Sequence, residues 1–175
     1  MGAILSYFDW FSEKKYSILL IGHENSGKQT IVQAIRCHEL GFDIPNIGFS
    51  HEDSEYKKLS IHPFHFSITE KVKSILNHYL IECRGIIYIF DCSEEKYINQ
   101  ARKDLEYIIE KSRPNSPILL FANKQDLLTI LQEEDVIINQ FHLSEIKDRL
   151  WKVQGTCAIT REGIFEGLDW LNSII

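Results

Sequence analysis

The stretch "GHENSGKQT", residues 22–30, decides the fold. It follows the apolar run "YSILLI" (16–21) and leads into "IVQAIRCHEL" (31–40), where Ile31, Ile35 and Leu40 fall on one helix face. Gly22 and Gly27 are separated by four residues and followed by Lys28, the GxxxxGK spacing of a phosphate loop. In such a loop backbone N–H groups and a helix N-terminus surround phosphate oxygens, and the lysine ammonium reaches the outer phosphates. Glycine supplies the turn and the close backbone approach. A plain glycine-rich connector would instead leave Lys28 at the positive end of a helix dipole, which repels cations unless an anion sits there.

Outward from this loop, "GIIYIF" (85–90) and "PILLFA" (117–122) are further continuous apolar runs of strand length, as central parallel strands covered on both faces require. Tyr97, Ile98, Ala101, Leu105, Ile108 and Ile109 mark a second helix face, and Phe165, Leu168, Leu171 and Ile175 a third. Strand and helix in alternation predict a doubly wound α/β sheet. "SHEDSEYKKLSIHPFHF" (50–66) breaks the rhythm with two strand-like stretches, which predicts a hairpin with one antiparallel edge strand. Pro63 lacks a ladder donor and predicts a weakened or bulged strand there.

The 175 residues, 44% hydrophobic and 25% charged, suit one globular domain. A net charge of −6 argues against a basic face for nucleic acid. Cys37, Cys83, Cys92 and Cys157 form no CxxC pair, and the start of the chain lacks a secretory pattern, so reduced thiols in the cytosol are expected. No apolar stretch approaches the roughly 20 residues that span a bilayer. His62 and His65 lie three apart on a predicted strand and so point to opposite faces, which disfavours a shared metal ion.

"PILLFA" ends in "NKQD", Asn123 to Asp126. A carboxylate here can accept from both N1–H and the N2 amine of guanine, a donor pair that adenine lacks. Asn123 can brace the loop and the base edge while the stem of Lys124 lies along the ring.

With these residues in view, the chain resembles an Arf or Arf-like small GTPase through "GHENSGKQT", "IPNIGFS" (44–50), "EYKKLS" (55–60), "GIIYIFD" (85–91), "FANKQD" (121–126), "TCA" (156–158) and "EGLDWL" (166–171). The resemblance implies a P-loop small G-protein fold, with a six-stranded, mostly parallel sheet flanked by helices, over residues 15–175. It implies a GDP or GTP site formed by Glu24, Asn25, Ser26, Gly27, Lys28, Gln29, Thr30, Asn123, Lys124, Asp126, Cys157 and Ala158, the "TCA" backbone meeting the guanine oxygen. It also implies effector or regulator proteins as partners, met through Phe49, Phe64 and Tyr79, where ordinary packing under the hairpin is an equal alternative.

The chain departs from the family pattern where magnesium and catalysis are concerned. Gln29 stands where a magnesium-binding Thr follows the loop lysine, and Asn46 where the first switch carries another. The second switch's acidic residue, glycine pair and water-positioning glutamine correspond to His65, to Ser67 and Ile68, and to Thr69. Ser67 and Glu70 instead have capping-box spacing, ahead of a stripe of Ile68, Val72, Ile75, Leu76, Tyr79 and Leu80. Expected are no catalytic residue, magnesium binding weak or absent, and GTP hydrolysis absent or strongly impaired. The alternative is an active GTPase whose magnesium is held by the amide carbonyls of Gln29 and Asn46, legitimate hard-cation ligands, with catalysis completed by a partner. A P-loop kinase is disfavoured, because the chain has no arginine cluster and "NKQD" has no task in one.

"MGAILS" fits the pattern for N-myristoylation, with Gly2 as acceptor. Ile4, Leu5, Phe8, Trp10 and Phe11 then give residues 1–14 the apolar side of an amphipathic helix. The expected location is the cytosolic face of a membrane, Golgi or endosomal by family resemblance.

Overall fold

The computed structural model describes residues 15–40, 53–65, 70–93, 95–127 and 134–175; of residues 39, 40, 65, 70, 71 and 95–97 it describes the backbone alone. The expected N-terminal helix with Gly2, the switch residues Asn46, Phe49, Ser67, Ile68 and Thr69, and the side chains of His65 and Glu70 lie outside the described residues.

The three apolar runs form β1 (Tyr16–Gly22), β4 (Gly85–Asp91) and β5 (Ile118–Asn123). Around them lie α1 (Lys28–Leu40), β2 (Ser54–Tyr56), β3 (Leu59–His65), α2 (Glu70–Glu82), α3 (Glu95–Lys111), α4 (Glu134–Gln140), β6 (Trp151–Thr156) and α5 (Ile164–Ile174). The six strands run in the order β2-β3-β1-β4-β5-β6. The β1–β3, β1–β4, β4–β5 and β5–β6 pairs are parallel, and only the edge strand β2 is antiparallel.

Strand side chains alternate between faces, and the core divides accordingly. Leu19, Ile21, Ile86, Tyr88, Phe90 and Leu120 pack with residues of α2, α3 and α4. Ile18, Leu20, Ile87, Ile89, Leu119 and Phe121 pack with residues of α1 and α5. All four cysteines are buried free thiols.

One expectation needs correction. Pro63 produces no bulge: β3 pairs with β1 without interruption from Leu59 to His65. Among the described residues the antiparallel ladder from β2 ends at Ile61. The apolar stripe of α2 is covered only in part. Leu76, Leu80 and Cys83 are buried, whereas Ile75 and Tyr79, on the flank of that strip, are 52% and 48% exposed.

Gly167 lets α5 approach the sheet. A Cβ there would lie 2.5 Å from the Phe121 ring, itself fully buried. Gly167→Ala is therefore expected to lower stability by about 1–3 kcal/mol, the usual cost of overpacking, although alanine favours helix by about 1 kcal/mol. Urea denaturation midpoints of the two proteins check this.

Candidate phosphate and base site

β1 lies between β3 and β4, so the chain leaves its carboxyl end at the point where connections part to either side, the usual ligand crevice of such sheets. Gly22 ends the strand against β4, and a Cβ there would lie 2.4 Å from the Ile89 carbonyl oxygen. The loop then turns through Asn25, at φ 61°, and Gly27, at φ 94°. Asparagine tolerates this left-handed region, and glycine occupies it without strain. Ile31 N donates to Gly27 O at 3.0 Å as α1 begins, and the first turn of that helix carries no acidic residue.

Within the loop, Ser26 N and Ser26 Oγ donate to the His23 carbonyl at 3.3 and 2.9 Å. Lys28 Nζ donates to Gly22 O at 2.5 Å and also to His23 O. Lys28 is only 4% exposed. Burial pushes its ammonium down to about 8, an effect that the charge of Glu24 partly offsets.

Asn123, 1% exposed at the end of β5, joins this loop to the second motif. Its Nδ2 donates to Ser26 O at 2.8 Å, and its Oδ1 accepts from Ala158 N at 3.1 Å and Thr156 Oγ1 at 3.2 Å. Lys124 follows at φ 68°, and its ammonium pairs with Asp91 Oδ2 at 2.6 Å. Burial acts to raise the Asp91 pKa, but Lys124 and the amide and hydroxyl of Ser93 outweigh it and hold the carboxyl below its ordinary value. Asp126 is exposed, on a groove of about 350 Å³ lined also by Gln125, Thr156 and Cys157.

The structure thus brings Ser26, Gly27, Lys28, Asn123 and Ala158 into one connected cluster. Glu24, Asn25, Gln29 and Thr30 are exposed at its rim. The amides of the "TCA" turn are engaged internally, Ala158 N with Asn123 and Cys157 N with Glu162 O at 3.1 Å. The backbone of His65 pairs in register with Gly22. Phe64 and Tyr79 do meet, their ring centroids 5.8 Å apart. Sequence reasoning missed His23, whose Nε2 contacts Asp104 of α3. The available signal was an acid at position 104 inside the apolar stripe, three residues after Ala101 and four before Ile108.

A phosphate loop at the switch point of a mostly parallel sheet, tied by an asparagine to an NKxD turn, defines a P-loop domain of the small-GTPase class. The model of the ADP-ribosylation factor family matches residues 3–175. The chain belongs to that family of guanine-nucleotide-binding small GTPases.

The depressed pKa of Lys28 predicts a pH dependence. The unfolded chain, with lysine at 10.5, holds this proton to higher pH than the folded one, so stability rises with pH above about 8. Burial raises the thiols of Cys83 and Cys92 to about 11 and about 12, so they remove stability as pH rises beyond 9, where unfolded thiols ionise. Between pH 7 and 9 the nucleotide-stripped wild type should gain about 1 kcal/mol relative to Lys28→Met. Denaturant midpoints at the two pH values measure the difference.

Proposed function

We propose that this chain binds GDP or GTP through residues 24–30, the NKQD turn and the "TCA" turn, hydrolyses GTP slowly or not at all, and works as a nucleotide-dependent docking module for effector or regulator proteins. The observation that carries the reading is the Asn123 side chain, which ties the phosphate loop to the turn bearing Asp126. A buried lysine ammonium among carbonyl oxygens, at the positive end of α1, suits a polyphosphate. Asp126, exposed beyond that clamp, is the guanine-selecting carboxylate.

Slow hydrolysis is supported by the side chains present. Gln29 is longer than threonine and directs an exposed amide from the first turn of α1, and Thr69 lacks the amide with which a glutamine orients the attacking water. Magnesium binding is accordingly weak or absent in this reading. Partners meet the surface formed by Phe64, Tyr79 and the exposed Ile75 of α2. Peripheral membrane attachment through residues 1–14 and an acyl group on Gly2 belongs to the same proposal.

Competition against a fluorescent GDP analogue tests the binding step. GDP and GTP should displace it, and ATP should need concentrations at least about 100-fold higher, as expected when a site's buried or directed polar groups are left unpaired. Asp126→Asn should transfer the preference to xanthine nucleotide, while equal competition by ATP and GTP would overturn the assignment. In single-turnover assays Gln29→Thr should improve magnesium-dependent nucleotide binding without restoring turnover. A wild-type rate like that of active relatives would refute the slow-hydrolysis part.

A further inference from the structure

His23 has two connections that together bridge the phosphate loop and a distant helix. Its carbonyl oxygen gathers the donors of the loop itself, Ser26 N, Ser26 Oγ and Lys28 Nζ. Its imidazole Nε2 meets Asp104 Oδ2, 81 residues away on α3. The position of the peptide on which the loop converges is therefore set in part by a side-chain bond to another element.

Asp104 is a deliberate anchor in chemical terms. It is 5% exposed, and a buried carboxylate is costly unless it is hydrogen-bonded or paired with a cation. Gln100, one turn earlier on α3, donates Nε2 to Asp104 Oδ1 at 3.0 Å. From β4, Tyr88 adds a buried hydroxyl that has no hydrogen-bond partner among the described residues. Burial first, and the charge of Asp104 second, keep that phenol protonated. Gln100 and Tyr88 bring no charge to Asp104, and the imidazole of His23 is the partner on its other carboxylate oxygen.

A hydrogen bond to an ionised acceptor is roughly twice as strong as one between neutral groups, and the imidazole of His23 meets the carboxylate of Asp104 through Nε2. Resting on the reading that this loop holds the phosphates of a guanine nucleotide, we propose that His23 is a positioning residue whose bond to Asp104 lets α3 hold the loop in its phosphate-binding form.

The test is the release rate of a fluorescent GDP analogue at neutral pH, for the wild type, His23→Ala, His23→Gln, Asp104→Asn and the His23→Ala/Asp104→Asn double variant. Removal of the bond by His23→Ala or Asp104→Asn should speed release about ten-fold, the scale of a lost charged hydrogen bond, and the double variant should be no faster than either. His23→Gln, whose amide can still donate to the carboxylate, should restore slower release than His23→Ala. Asp104→Asn and His23→Gln carry the test where His23→Ala does not fold. Multiplicative effects in the double variant, or release from His23→Gln as fast as from His23→Ala, would overturn the proposal while leaving nucleotide binding intact. Failure of the wild type to bind the analogue would overturn both.

Discussion

The side chain of Asn123 is the constraint on which the site depends. Its amide spans to Ser26, 97 residues earlier, and to Ala158, 35 residues later, from the end of a fully buried strand. Gly27 is part of the same contact: a Cβ there would lie 2.1 Å from Asn123 Nδ2. The glycine is thus required twice, once for its φ of 94° and once for the room it leaves. The strand end is itself secured by the residue that follows β4, since Cys92 N and Cys92 Sγ both donate to the Asn123 carbonyl oxygen, at 3.1 and 2.9 Å. A polar side chain with each of its atoms engaged fixes geometry more sharply than apolar packing, which tolerates sliding.

Charge around this clamp is distributed among separate partners. Lys28 is enclosed by carbonyl oxygens, Lys124 is held by Asp91, and His23 by Asp104. The Lys124 ion pair also supports backbone strain, since a lysine at φ 68° sits in a region that non-glycine residues enter at a cost of about 1–3 kcal/mol. That turn aims Asp126 outward, so strain, salt bridge and base-side carboxylate form one local arrangement.

Much of this was legible before any coordinates. Continuous apolar runs revealed the buried parallel strands because burial on both faces removes the polar alternation, and the motifs at their ends located the loops. The limits of α2's buried strip were not legible: Ile75 and Tyr79 satisfy helical spacing, yet the rotation of the helix on the sheet leaves them half exposed. Nor was the bond between His23 and Asp104, because contact across 81 residues depends on how α3 lies over β4. Asn123 was expected to brace its loop, but the engagement of its oxygen by Ala158 N follows from the fold of the "TCA" turn, which no spacing encodes.

The shortness of β2 has a further consequence at the margin of the sheet. With three residues it covers β3 only as far as Ile61, and among the described residues no strand pairs with the outer side of β3 from His62 to His65. An uncovered strand edge is a template on which another chain can add, and natural sheets guard such edges with proline and with polar or charged groups. On the outer side of β3 Pro63 withholds a donor, and beside it His62 Nδ1 is engaged with Asp53 at 2.8 Å. The residue that looks like a flaw in a strand thereby interrupts the row of donors along which a further strand would have to pair.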